Sequence, residues 1–172
     1  ETPLVESPAV AKLVNAESVG LKLELLQPTG SFKVRGATNT ILSLSDEERA
    51  RGVITFSTGN HGRAVSYVAN QVGVKAVVCL SKRVPAYRVE AIKALGGTPV
   101  VHGNSQDEAE DRYRELKEEQ GLVPVVPFDD PRVVAGQGTI SLEILSQNPD
   151  VDTLLVPLSG GGLLAGMAMA IK

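Results

Sequence analysis

Apolar residues recur along this chain in two alternating rhythms. Short runs rich in Val, Ile, Leu and Ala fall at 21–25, 53–57, 76–80, 99–102, 123–126 and 153–158. Between them lie longer stretches whose apolar positions return every three or four residues. The short runs read as buried strands and the stretches between them as helices. That succession predicts an α/β protein with a mostly parallel sheet flanked by helices.

Helix boundaries are marked by side chains that satisfy the orphan amides of a first turn. Ser45-Asp46-Glu47-Glu48 and Ser105-Gln106-Asp107-Glu108 both have capping-box spacing. Pro85 suits a helix start, because its missing N–H needs no partner there, and Gly96-Gly97 suits the end of the same helix. The charged run 107–120 reads as a solvated helix face. The last stretch, from Gly162 to Ile171, is almost wholly apolar and needs covering neighbours. The sheet beside it is therefore expected to be incomplete within this chain.

A length of 172 residues is about one domain. With 3% aromatic residues and no Trp, the core must be built from aliphatic side chains. The net charge of −3, with Lys and Arg dispersed, argues against a nucleic-acid partner. The single cysteine, Cys79, lies inside an apolar run, which excludes a disulfide framework and reads as a buried, inert thiol. His61 and His102 have no metal-ligand spacing, so no metal site is expected. No apolar run approaches the roughly 20 residues of a membrane helix, and no signal peptide opens the chain. A cytoplasmic location is the expectation.

Three constellations have chemical content. In Thr29-Gly30-Ser31-Phe32-Lys33-Val34-Arg35-Gly36-Ala37, a helix from Ser31 puts Gly30, Lys33, Gly36, Ala37 and Thr40 on or near one face. A single amine among small residues leaves room for a planar group and is partly desolvated. Desolvation lowers a lysine pKa and favours Schiff-base chemistry, although most lysines are simply solvated. Ser57-Thr58-Gly59-Asn60-His61-Gly62 follows a strand and opens a helix, a ready site for a carboxylate; capping by Asn60 is the plainer alternative. Ser159-Gly160-Gly161-Gly162-Leu163 turns backbone amides toward a helix N-terminus, where a phosphate fits. No Gly-Lys-Ser/Thr follows, so it is not a P-loop. Gly160, Gly162 and Ala165 also match a relaxed dinucleotide fingerprint.

Taken in order, Gly30-Ser31-Phe32-Lys33-Val34-Arg35-Gly36-Ala37, the block 57–62, Ala135-Gly136-Gln137-Gly138-Thr139 and the block 159–163 resemble the fold-type II pyridoxal-phosphate enzymes, in the threonine/serine dehydratase and serine racemase branch. The resemblance spans nearly the whole chain and fits the N-terminal portion of such an enzyme. It implies a fold like that of the tryptophan synthase β-subunit, with the C-terminal part missing. Residues 1–54 and 131–172 would belong to an incomplete large cofactor-binding domain, and residues 55–130 to a small mobile domain.

The resemblance assigns Lys33 as the catalytic lysine bonded to pyridoxal 5'-phosphate. Phe32 would lie near the cofactor ring, and Asn60 would bond its 3-hydroxyl. Ser159, Gly160, Gly161, Gly162 and Leu163 would hold the phosphate, while Ser57, Thr58, Gly59 and His61 would hold the substrate carboxylate. The implied reaction is β-elimination of water from a small hydroxy-amino acid such as L-threonine or L-serine, giving a 2-oxo acid and ammonia. The implied assembly is a homodimer of the full-length protein. Thr58 stands where serine racemases carry serine, and its methyl favours elimination over racemisation. Ser159 replaces the first glycine of the commoner four-glycine loop. The blocks at 57–63 and 159 also resemble dehydratases of hydroxyectoine breakdown. Serine racemase is the near alternative; an NAD-binding Rossmann-type module and an inactive fragment are the others.

Overall fold

The computed structural model describes residues 1–172 apart from Thr58. In chain order the elements are β1 (Leu4–Glu6), α1 (Pro8–Val14), β2 (Gly20–Lys22), a 3-10 turn (Glu24–Leu26), α2 (Lys33–Leu42), α3 (Asp46–Arg51), β3 (Val53–Phe56), α4 (Asn60–Gln71), β4 (Ala76–Leu80), α5 (Ala86–Ala94), β5 (Thr98–Val101), α6 (Gln106–Gln120), β6 (Val123–Pro124), α7 (Pro131–Gln147) and α8 (Gly162–Ala170).

Four strands form a parallel sheet in the order β5-β4-β3-β6, with Val53 opposite both Ala76 and Val123, and Val77 opposite Thr98. Parallel neighbours cannot be joined by hairpins, and α4, α5 and α6 make the crossovers. Every residue of β4 is buried, as befits a strand covered on both faces. Alternate side chains serve two cores. Val53 and Ala76 pack with Ala64, Val65 and Val68 of α4, whereas Ile54, Val77 and Cys79 meet Tyr113 and Leu116 of α6. The burial of only Ala109, Tyr113 and Leu116 on α6 confirms the solvated face expected of 107–120.

Capping follows the sequence closely. Ser45 Oγ accepts the Glu48 amide at 3.2 Å, and the Glu48 carboxylate accepts the Ser45 amide at 2.9 Å. Ser105 Oγ accepts the Glu108 amide at 3.1 Å, but Glu108 reaches back to the amide of Asn104 rather than of Ser105. Pro85 stands at the N-cap of α5, and Gly96, at φ +86°, follows its end.

A second layer consists of α2, α7 and α8, drawn together by glycines. A Cβ on Gly136 would lie 2.6 Å from the Arg35 carbonyl oxygen and 2.7 Å from the Gly36 Cα. One on Gly138 would lie 2.7 Å from the Gly166 carbonyl oxygen. Only glycine lets these backbones approach so closely.

Several expectations need correction. Residues 153–158 do not form a strand: a strand exists only by pairing, and no strand among the described residues runs beside them. Leu155 is 93% exposed there. The run at 21–25 divides, with β2 pairing antiparallel to β1 in a separate ribbon before the chain turns at Glu24–Leu26. The strand expected at 123–126 shortens to two residues, although the Val125 amide still donates to the Ile54 carbonyl at 2.9 Å. Helix α2 starts at Lys33, not Ser31, and Gly30 lies in the preceding turn at φ +73°. No helix among the described residues is long and apolar enough to cross a membrane.

Candidate active site

Lys33 is the first residue of α2, behind a turn in which the Gly30 amide donates to the Gln27 carbonyl at 2.7 Å. Its side chain is half-buried, and Nζ donates to the Pro127 carbonyl at 2.5 Å. The same nitrogen lies 5.2 Å from the centroid of the Phe32 ring. Burial holds the Lys33 pKa below its usual value. The positive end of α2 disfavours an ammonium in the same direction.

The small residues of α2 have another use than the one expected. A Cβ on Gly36 would lie 2.5 Å from Gln137 Nε2 and 2.9 Å from the Val133 carbonyl oxygen, and Ala37 and Thr40 are fully buried. From Gly36 onward that face is filled by packing against α7, and the open space near Lys33 lies at Gly30, where a side chain would meet nothing within 4 Å. Phe32 packs with Ile140, Ile144, Met167 and Leu163, joining the start of α2 to α7 and α8.

The block after β3 builds the N-terminus of α4. Gly59 is the N-cap, and Asn60 is the first helical residue, exposed, so capping by Asn60 does not occur. Ser57 Oγ accepts the Gly59 amide at 3.3 Å. Thr58 lies outside the described residues. His61 is 3% exposed, and its Nε2 lies 2.9 Å from the Val125 carbonyl oxygen. Burial drives its pKa down to about 4; the Val125 carbonyl opposes this and the Lys33 charge adds to it. A carbonyl only accepts, so the neutral ring carries its proton on Nε2. Nδ1, which has no hydrogen-bond partner among the described residues, is left as an acceptor.

The turn 159–161 leads into α8. Gly161, at φ +84°, takes a left-handed conformation that favours glycine, with open space where a side chain would stand. Ser159 and Gly160 are exposed, Leu163 is half-buried and Gly162 is buried. The first amides of a helix have no partner within it, so this turn presents donors at the positive end of α8.

All three constellations meet the same short segment, residues 125–128, between β6 and α7. The Val125 carbonyl takes His61, the Pro127 carbonyl takes Lys33, and Phe128 lies against the glycine turn. A Cβ on Gly160 would strike the Phe128 ring, and one on Gly162 would come within 2.7 Å of the Phe128 carbonyl oxygen. Residues 125 and 126 end the run read as a strand at 123–126, but nothing in the sequence alone marked residues 127 and 128. The stretch Pro127-Phe128-Asp129-Asp130-Pro131 reads as a linker, and the one available signal was an aromatic residue isolated between a proline and two acids.

A lysine amine partly withdrawn from water, meeting across residues 127–128 a glycine turn at a helix N-terminus, is the arrangement of an α/β fold suited to an anionic carbonyl cofactor. The pyridoxal-phosphate dependent enzyme family matches residues 1–172, and the chain belongs to that family. A Sinorhizobium fredii protein whose name places it among the threonine dehydratases is 53% identical over 171 residues, covering 99% of this chain and 51% of its own length. The L-threonine ammonia-lyase of Thermotoga maritima is 43% identical over 171 residues, covering 99% of this chain and 42% of that protein. Maize serine racemase superposes with a TM-score of 0.94 at 39% identity, over 98% of this chain and 51% of that one. The chain thus spans about half the length of the relatives it matches.

The residues present fit pyridoxal phosphate. An aldehyde needs an amine with a lowered pKa, which Lys33 offers. A phosphate needs unblocked backbone amides, and the turn offers them at Gly161, where a side chain would meet nothing within 4 Å, while Gly160 and Gly162 are held against Phe128. The lone-pair nitrogen of His61 is an acceptor, so the donors that the 57–61 block offers to an anion are backbone amides at the start of α4.

Proposed function

We propose that this chain carries the cofactor lysine and phosphate cradle of an ammonia-lyase that eliminates water from a small β-hydroxy-amino acid such as L-threonine or L-serine, giving a 2-oxo acid and ammonia. The observation that carries the reading is the meeting of Lys33 and the glycine turn on two consecutive residues, Pro127 and Phe128. The names of the Sinorhizobium and Thermotoga relatives support the reaction class.

In this reading Lys33 holds pyridoxal phosphate, with Phe32 near its ring and Asn60 at its 3-hydroxyl. Ser159, Gly160, Gly161, Gly162 and Leu163 hold its phosphate. When bound, the cofactor supplies an electron sink for charge developing at the substrate α-carbon. Lys33 Nζ, half-buried and with a lowered pKa, takes the α-proton. Ser57, Thr58, Gly59 and His61 form the carboxylate loop, in which Ser57 fixes the Gly59 amide and amides at the start of α4 supply the donors. His61 stays neutral and braces the loop against Val125. Residues 1–54 and 131–172 act as the large unit, and residues 55–130 as a small unit that closes to exclude water. We further infer a homodimer for the intact protein. A cytoplasmic location is in keeping with the lone, unpaired Cys79, and the net charge of −3 favours no nucleic-acid partner.

Serine racemisation is the second reading, favoured by the similarity to maize serine racemase. Incubating the intact protein with L-serine and assaying pyruvate against D-serine separates the two. Pyruvate in excess, together with 2-oxobutyrate from L-threonine, supports the lyase. D-serine in excess overturns it.

A further inference from the structure

The segment 125–128 sits between two parts of the proposed cofactor site that are far apart in sequence. Lys33 reaches it from α2 and donates to the Pro127 carbonyl. Gly160 and Gly162 reach it from the turn before α8, one against the Phe128 ring and the other against the Phe128 carbonyl. The Pro127 carbonyl and the Phe128 Cα belong to one planar peptide group, so their separation is fixed by covalent geometry. The proline ring also restrains the backbone just before that group. That group ties the acceptor for the amine to the Phe128 Cα, which a Cβ on Gly162 would approach to 3.1 Å.

We infer that Phe128 is a positioning residue for the phosphate turn, and that with Pro127 it sets the spacing between that turn and the Lys33 amine. The inference rests on the reading of Lys33 and the glycine turn as the pyridoxal-phosphate site. Phe128 is 42% exposed and belongs to no buried core cluster, so its ring is not held in place by general burial. Its close partners are the turn glycines themselves. The contact also explains why Gly160 and Gly162 are glycine: a methyl on either one displaces Phe128, and with it the carbonyl that receives Lys33.

The test compares two aldehydes in the intact protein: pyridoxal phosphate, and pyridoxal, which lacks the phosphate. Dissociation constants are measured for wild type, Phe128→Ala and Phe128→Leu, together with the melting midpoint of each cofactor-free protein. A displaced phosphate turn weakens pyridoxal phosphate by about tenfold or more in Phe128→Ala, with Phe128→Leu in between. Pyridoxal, which does not use the turn, changes by less than about twofold. The contact also makes the effects of Phe128→Ala and Gly160→Ala non-additive, because removing the ring removes what the new methyl would strike.

Three results overturn the proposal: equal losses for both aldehydes with a lowered melting midpoint, unchanged affinity in Phe128→Ala, or strict additivity in the double variant. If wild type itself forms no bond from Lys33 to either aldehyde, the reading of the site fails, and this inference with it. That outcome is visible before any variant is made.

Discussion

The guanidinium of Arg35 grips the carboxylate of Glu143 with two hydrogen bonds, Nη1 to Oε1 at 2.6 Å and Nη2 to Oε2 at 2.8 Å. A second fork from the same side chain holds Glu24, Nε to Oε2 and Nη2 to Oε1, both at 2.8 Å. Lys22 reaches Glu143 at 2.7 Å. Arg35 follows Lys33 by two residues, about 200° around α2, so the helix is clamped on the face away from the amine.

Removing Arg35 leaves two carboxylates half-buried beside each other. Arg35→Met is expected to lower stability by about 3 kcal/mol, read from urea unfolding. A loss within a few tenths of a kcal/mol of wild type contradicts the clamp.

The same network sets an acid limit. Hydrogen bonds from Arg35 hold the Glu143 carboxyl down to about 2 against the opposing effect of burial, with Lys22 and the Thr2 amide assisting. Burial pushes Glu24 up, but Arg35 and Thr2 bring it below the usual carboxylate range. A depressed acid stabilises the fold above its unfolded value and loses that contribution as it protonates. The urea midpoint should therefore fall as pH drops from about 4.5 toward 2. The fall should be shallower in Arg35→Met; an identical slope in the two proteins tells against the assignment.

His61 adds an earlier acid-sensitive step. Its ring is neutral when folded, with a pKa lowered by burial from 6.5 to about 4, so the unfolded chain binds the extra proton first. Stability declines as pH falls through that interval. Nitrogen NMR should find the proton on Nε2, and a ring still neutral at about pH 5. Titration of this ring near its ordinary value, or a proton on Nδ1, contradicts the bond to Val125.

Cys79 tests the sheet directly. Burial pushes its thiol pKa up to about 11, only partly offset by Arg112, and the side chain, on β4, packs under Tyr113 and Leu116 of α6. An aromatic disulfide reagent should leave it unmodified in the folded protein and react promptly in denaturant. Rapid modification of the folded protein contradicts the packing.

Elements whose cause is local were readable from the sequence. The Ser45–Glu48 box, the helix after Pro85 and strands β3 and β4 are fixed by neighbours a few positions away, and the structure places them as expected. Residues 153–158 differ from expectation because alternating apolar residues show a capacity for pairing, whereas a strand needs a partner, and none among the described residues runs beside them. The small face of α2 was legible only in part, for a related reason, since Gly36 packs against α7 while Gly30 stays open. Small residues leave space, but only the tertiary fold decides whether a helix or a ligand fills it, and here α7 does. Residues 127 and 128 have no periodicity to read, because their contacts come from positions 33, 160 and 162.

The most direct measurement concerns Lys33 itself. The intact protein is incubated with pyridoxal phosphate, reduced with borohydride, digested and mapped by mass spectrometry. A pyridoxyl mass on the peptide at Lys33, lost in Lys33→Ala, is the expected result. A label on another lysine, or one that persists undiminished in Lys33→Ala, contradicts the assignment.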